Sequence, residues 1–141
     1  MNIRKADQND YNAIMQVWES AVKATHDFLA EEDFLFFKEK IPVDYLPAVQ
    51  LFVLTEGDIK GFIGVSGDML EMLFIDAGSH GKGYGKTLLN YAIEHLHINK
   101  VDVNEQNTQA VGFYEKMGFK QTGRDEKDGM GKDYPVLHYK L

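Results

Sequence analysis

The stretch Leu70–Ile93, LEMLFIDAGSHGKGYGKTLLNYAI, changes character twice, and the rest of the chain is read outward from it. Leu70, Met72, Leu73, Phe74 and Ile75 make a short, nearly continuous apolar run, as a buried strand does. Gly78, Gly81, Gly83 and Gly85 follow as a loop with little side-chain bulk. From Gly85 on, Leu88, Leu89, Ala92, Ile93 and Leu96 recur at helical spacing. Strand, glycine loop and helix start in this order suit a phosphate ligand. Backbone N–H groups at the helix N-terminus lack partners, the helix dipole favours an anion, and missing Cβ atoms allow close approach.

Two common phosphate motifs fail by one position. A nucleotide P-loop needs glycine, four residues, then Gly-Lys-Ser/Thr. Gly85-Lys86-Thr87 fits its end, but His80 stands where the first glycine belongs. A dinucleotide fingerprint needs G-x-G-x-x-G/A. Counted from Gly81 it ends on Lys86, and counted from Gly83 it ends on Leu88.

A third pattern fits. His80-Gly81-Lys82-Gly83-Tyr84-Gly85, after an apolar strand and before this helix, resembles the acetyl-coenzyme A loop of the GNAT superfamily of N-acetyltransferases. That loop usually reads Gln/Arg-x-x-Gly-x-Gly/Ala. Here His80 takes the first position, while Gly83 and Gly85 keep the spacing. The plain alternative is a glycine-rich turn that only joins a strand to a helix.

Composition narrows the class. The chain has 141 residues, the size of one domain, and its 44% hydrophobic content supplies a single core. No linker, repeat or low-complexity tract suggests a second domain. No apolar run approaches the length needed to span a bilayer, so no membrane partner is expected. The start, MNIRKADQND, lacks the apolar segment of a secretory signal. Without cysteine there are no disulfides or thiolate sites, and a cytoplasmic protein is the simple reading. The net charge of −7 argues against a nucleic-acid surface. Lys82 and Lys86, with His80 beside them, place local positive charge in the glycine loop, as a small polyanion requires. The five histidines show no ligand spacing, so no metal is expected.

In chain order, Asn2–Lys5 suits a first strand. Asp10–Ala24 carries a helical face of Tyr11, Ile14, Met15, Val17, Trp18, Ala21 and Val22, with Asp7 or Asn9 as cap. A second helix is expected from Ala30 to about Lys40, then an irregular connection bracketed by Pro42 and Pro47. Gln50–Thr55 and Ile59–Ser66 read as strands joined by the hairpin pair Gly57-Asp58. With the run at Leu70 they form an antiparallel meander. The helix from Gly83 to about His97 and a strand at Lys100–Asn104 imply a parallel crossover. A short helix from Thr108 to about Met117, capped by Asn107 or Thr108, precedes strands near 119–123 and 135–139. The intervening 124–133 reads as a solvated loop. The class is therefore α/β with a mixed sheet: a mostly antiparallel meander and one parallel β-α-β crossover at the cofactor site.

The segment Val103–Phe119, VNEQNTQAVGFYEKMGF, carries the second part of the resemblance. GNAT proteins commonly show Asn-x-x-Ala-x-x-Phe-Tyr-x-x-x-Gly-Phe there. Asn107, Ala110, Phe113, Tyr114, Gly118 and Phe119 match those spacings. Two motifs in the right order are far more specific than either alone. On them the chain is identified as a member of the superfamily, similar to its small, stand-alone bacterial members.

The resemblance implies direct acetyl transfer from acetyl-coenzyme A to a primary amine of a small molecule or peptide. It implies that the strand Leu73, Phe74 and Ile75 pairs with the pantetheine arm by strand addition. His80, Gly81, Lys82, Gly83, Tyr84, Gly85 and Lys86 would form the pyrophosphate loop. Asn107 would contact the pantetheine or order the start of the last helix, and Phe113 would pack beside the cofactor. Tyr114 would stand near the thioester sulfur as general acid, since a phenol is protonated at neutral pH.

Glu71 is the first candidate for the base, because it interrupts the apolar strand on the face shared with Leu73 and Ile75. His26 and Asp27 are second candidates, and with Phe28 they would border the acceptor cleft. Asn104 and Glu105, at a parallel strand end, suit a ligand crevice. Ordered water is the alternative to a dedicated base. A catalytically silent fold that binds coenzyme A as a sensor is the second functional reading, supported by His80 and opposed by Tyr114. An unrelated nucleotide-binding domain and a DNA-binding regulator stand behind it. Either a monomer or a homodimer fits.

Overall fold

The computed structural model describes residues 1–25 and 27–141. Contacts divide them into two compact units, Met1–Ile98 and Asn99–Leu141.

In the first unit, four strands pair antiparallel in chain order: β1 (Asn2–Lys5), β2 (Gln50–Glu56), β3 (Asp58–Ser66) and β4 (Met69–Ile75). The expected meander is present. The apolar run Leu51–Leu54 of β2 is buried, and so are residues 61–65 of β3, where Phe62, Ile63 and Val65 are interspersed with glycines. Helix α1 (Tyr11–Thr25) buries Ile14, Val17, Trp18, Ala21 and Val22, the face read from its periodicity. Asp7 caps the turn leading into it, accepting the Asn9 N–H at 2.9 Å, while Asp10 returns a bond to the Asp7 N–H at 3.1 Å. Arg4 of β1 grips the Asp10 carboxylate with two bonds of 2.9 Å. These bonds, the arginine's first, hold the Asp10 pKa down at about 2.

Helix α2 (Glu31–Lys40) fully buries no residue and attaches through half-buried aromatics. Phe34 stacks on Trp18 of α1 with ring centroids 5.3 Å apart. Where an irregular connection was expected, the chain continues through a π-helical stretch, Ile41–Tyr45, and a 3-10 turn, Leu46–Ala48. Each proline sits near the start of its turn, and Ile41 and Leu46 are buried. These two join Ile14, Val17, Trp18, Val22, Leu51, Val53 and Phe62 in the core. Full burial of one such side chain contributes about 1.5–3 kcal/mol.

Helix α3 (Tyr84–Leu96) buries Tyr84, Leu88, Leu89 and Ala92. It lies close over β3 because Gly61 has no side chain. A Cβ there would meet Ile75 Cδ1 at 2.5 Å, the Phe74 carbonyl at 3.0 Å and Leu88 Cδ1 at 3.2 Å. The helix ends at His97, which adopts the left-handed conformation with φ 59.

In the second unit, β5 (Lys100–Asn104), β6 (Lys120–Asp125) and β7 (Val136–Lys140) form an antiparallel set with β7 in the middle. Helix α4 (Thr108–Lys116) lies between β5 and β6 in sequence. Strand β6 runs to Asp125, two residues past the expected Gly123. Its sequence, KQTGRD, has no apolar alternation because five of its six residues are exposed. The solvated loop is correspondingly shorter.

His138 of β7 joins three strands. Its Nδ1 lies 2.7 Å from Asp102 of β5 and its Nε2 2.8 Å from Asp125 of β6. A neutral imidazole has one N–H, so donating to both carboxylates requires the imidazolium. The two aspartates raise the His138 pKa against a smaller opposing effect of burial. A raised folded-state pKa gives stability that is complete below the unfolded value near 6.5. That stability is lost as pH rises through the folded value. The urea midpoint should therefore fall on raising pH above neutrality, and His138→Gln should flatten that fall. An equal fall in both proteins would mean the pair of aspartates contributes nothing.

Candidate active site

The loop after β4 is held at its start by side chains. Asp76 accepts the Gly78 N–H at 3.2 Å, and Ser20 of α1 accepts the Ala77 N–H at 3.0 Å. The Asp76 N–H itself donates to the Lys60 carbonyl of β3 at 2.9 Å. Ser79 is buried, and His80 is exposed. Beyond this point the backbone turns its donors outward. Gly81 and Gly83 have φ 81 and 80, the left-handed region. Among the described residues, the N–H groups of Gly81 through Lys86 donate to no protein partner. The chain closes again at Thr87, whose N–H and Oγ1 both donate to the Gly83 carbonyl, at 3.0 and 2.9 Å. A run of unpaired donors at a helix N-terminus, with Lys82 and Lys86 exposed beside it, fits a pyrophosphate.

Tyr84 has a different role from its neighbours in the loop. Its ring is buried, and its hydroxyl donates to Glu56 at the end of β2. That bond, first among the causes, raises the Tyr84 pKa and lowers that of Glu56.

Leu73, Phe74 and Ile75 are half-buried on β4 and pair with Ile63, Phe62 and Gly61 of β3. Phe74 stacks on Phe62 with centroids 5.6 Å apart. Glu71 is exposed, and it lies in a bulge. Met72 pairs with Gly64 and Leu70 with Val65, so Glu71 is the extra residue. The strict alternation that would align Glu71 with Leu73 and Ile75 is interrupted there. Asp27 is exposed and Phe28 half-buried in the turn after α1; His26 lies outside the described residues.

In the second unit, Asn107 caps α4. Its side chain accepts the Ala110 N–H at 3.2 Å, and its own N–H donates to the Asn104 carbonyl at 3.0 Å. Asn104 accepts the Gln106 N–H at 3.0 Å. Glu105 takes both ends of the Arg124 guanidinium, at 2.8 and 3.1 Å. Its charge is thus matched within the second unit. Tyr114 is buried, with ring centroids 5.2 Å from Phe113 and 5.8 Å from Phe119. Burial raises its pKa, and no charged neighbour contributes.

The glycine motif thus gathers its donors in one turn, and the asparagine–tyrosine motif gathers Asn107, Phe113 and Tyr114 on one helix. Reading the sequence missed Ser20, Glu56 and Thr87, which hold the loop. Thr87 was accessible from its spacing to Gly83. Ser20 and Glu56 lie far away in the chain and leave no local signal. Among the described residues, no group of three or more His, Asp or Glu side chains is arranged to hold a metal ion. No helix among them is long and apolar enough to cross a membrane.

The chain resembles known proteins along nearly its whole length. The acetyltransferase (GNAT) domain family matches residues 19–132. The peptidyl-lysine N-acetyltransferase YjaB of Salmonella typhimurium is 42% identical over 140 residues, 98% of this chain and 96% of that protein. The solution structure of apo YjaB from Escherichia coli superposes with a TM-score of 0.89 at 37% identity, covering 99% of this chain and 95% of that one. The PaiA N-acetyltransferase of Thermoplasma acidophilum, solved with coenzyme A, gives 0.76 at 21% identity, covering 99% and 98%. These likenesses show the mixed α/β fold expected from the sequence. By its matched domain and its near full-length relatives, the chain belongs to the GNAT acetyltransferase family.

Proposed function

We propose that this protein transfers the acetyl group of acetyl-coenzyme A to a primary amine, specifically the ε-amine of a lysine in a peptide or protein. The transfer class is carried by the acetyltransferase (GNAT) domain matched over residues 19–132, and the unpaired N–H groups from Gly81 to Lys86 at the start of α3 support a bound pyrophosphate. The acceptor class is supported by the relative at 42% identity, which is a peptidyl-lysine N-acetyltransferase.

Acetyl-coenzyme A supplies an activated thioester. The loop N–H groups, with Lys82 and Lys86, bind its pyrophosphate, and the backbone of Leu73–Ile75 aligns the pantetheine arm. Tyr114, kept protonated by burial, delivers its proton to the sulfur as the carbon–sulfur bond breaks and the nitrogen–carbon bond forms. The attacking amine loses its proton to Glu71 or to water. Glu71 is exposed, which suits a group that must meet an incoming side chain. We place its work in the cytoplasm, as a monomer or homodimer; the cysteine-free chain has no disulfide for an oxidising compartment to form.

Thiol release from acetyl-coenzyme A, measured with a lysine peptide whose N-terminus is blocked, tests this reading. Release that vanishes when the lysine becomes norleucine supports it. Tight coenzyme A binding without release on any amine would replace the enzyme by a silent binding module.

A further inference from the structure

Both ends of the glycine loop are tied to the β2–β3 hairpin. At the start, the Asp76 N–H donates to the Lys60 carbonyl at 2.9 Å. At the end, the hydroxyl of buried Tyr84 donates to Glu56. Glu56 and Lys60 stand on either side of the hairpin turn. That turn is made by Gly57 with φ 83, and it is braced by an ion pair of 2.7 Å between Asp58 and Lys60. We propose that Glu56 is a positioning residue for cofactor binding: by accepting the Tyr84 hydroxyl, it fixes the first turn of α3 and the N–H groups offered to the pyrophosphate. The inference rests on Gly81–Lys86 being the pyrophosphate loop.

The chemistry of the pair supports this role. Tyr84 is the first residue of α3, so its N–H belongs to the donor set while its side chain points into the protein. The buried ring fixes the backbone in one direction. The bond to a carboxylate, stronger than one between neutral groups, fixes the remaining freedom. A carboxylate placed near an anion site would ordinarily oppose binding. Glu56 accepts the hydroxyl, and the N-terminal ammonium, Lys82 and Lys60 offset part of its charge. Loop donors held in position before the ligand arrives spare the ordering cost on binding.

Steady-state kinetics with acetyl-coenzyme A and with S-acetylpantetheine, which lacks the pyrophosphate, test the proposal on Glu56→Ala, Glu56→Gln and Tyr84→Phe. The first and last should raise KM for acetyl-coenzyme A about tenfold, the scale of a hydrogen bond to a charged group. At saturation, kcat should stay within about twofold, since the interaction is not made in the transition state alone. Glu56→Gln, whose amide oxygen still accepts the hydroxyl, should recover most of the affinity. KM for S-acetylpantetheine should not move. A parallel Gly83→Glu variant separates the two readings. If it loses acetyl-coenzyme A while Glu56→Ala and Tyr84→Phe bind like the parent, the positioning role is wrong and the loop assignment stands. If Gly83→Glu binds like the parent, the loop assignment itself falls. An equal rise in KM for both donors would also overturn the proposal, because the effect would not pass through the pyrophosphate. Should Tyr84→Phe fail to fold, the exposed Glu56→Ala decides alone.

Discussion

Gly83→Glu should weaken acetyl-coenzyme A binding by about a hundredfold or more while the protein stays folded. Gly83 has φ 80 and ψ 11 at the position before α3. An L-residue in this left-handed conformation costs roughly 1–2 kcal/mol, which by itself shifts an equilibrium about five- to thirtyfold. Nothing in the protein lies within 4 Å of a Cβ built there. The first side-chain atom therefore meets no protein atom, and the cost to folding is that of the left-handed backbone. The damage to binding is larger. The Gly83 N–H is one of the unpaired donors, and a carboxylate beside it would occupy space facing the ligand and repel its phosphates. Calorimetric titration shows the loss, and a melting curve close to the parent's shows that the fold survives. Parent-like binding would remove the loop from the cofactor site.

The same loop shows what a sequence can and cannot convey. Gly81, Gly83 and Gly85 were legible because a tight, donor-rich turn needs residues without Cβ atoms at fixed spacing. The strands β2, β3 and β4 were legible because buried strands must be apolar, and α1 because its buried face repeats at the helical period. Asn107 was legible as a cap because the bond to Ala110 spans only three residues. Local rules fail where a partner is remote. Tyr84 read as part of the loop, and nothing near it in sequence announced that its hydroxyl donates to Glu56, 28 residues earlier. Glu105 read as a residue suited to a ligand crevice, and nothing local announced its pairing with Arg124, 19 residues away. The bulge at Glu71 depends on pairing with β3, which no property of β4 announces. Strand β6 is almost wholly exposed, so it carries no hydrophobic pattern to read. His138 joins three strands through aspartates that are unremarkable in sequence.

Tyr114→Phe should lower kcat by about a hundred- to a thousandfold and leave KM for acetyl-coenzyme A nearly unchanged. General acid catalysis contributes about 10²–10⁴-fold, and the substitution removes only the proton donor. The ring contacts with Phe113 and Phe119 survive, so the helix and its packing should be kept. The pH profile carries a second expectation. Burial raises the Tyr114 pKa, so this acid stays protonated through the pH range in which an ordinary phenol begins to ionise. The parent's rate should therefore rise as the acceptor amine loses its proton and should show no descending limb from Tyr114 below pH ~10. A donor thioester with a more acidic thiol needs less help in leaving. The defect of Tyr114→Phe should shrink with such a donor, as it would not if the residue only packed the core. A variant within about threefold of the parent on both donors would return Tyr114 to packing, because the interaction lost would not be one made in the transition state. The sulfur's proton would then have to come from solvent.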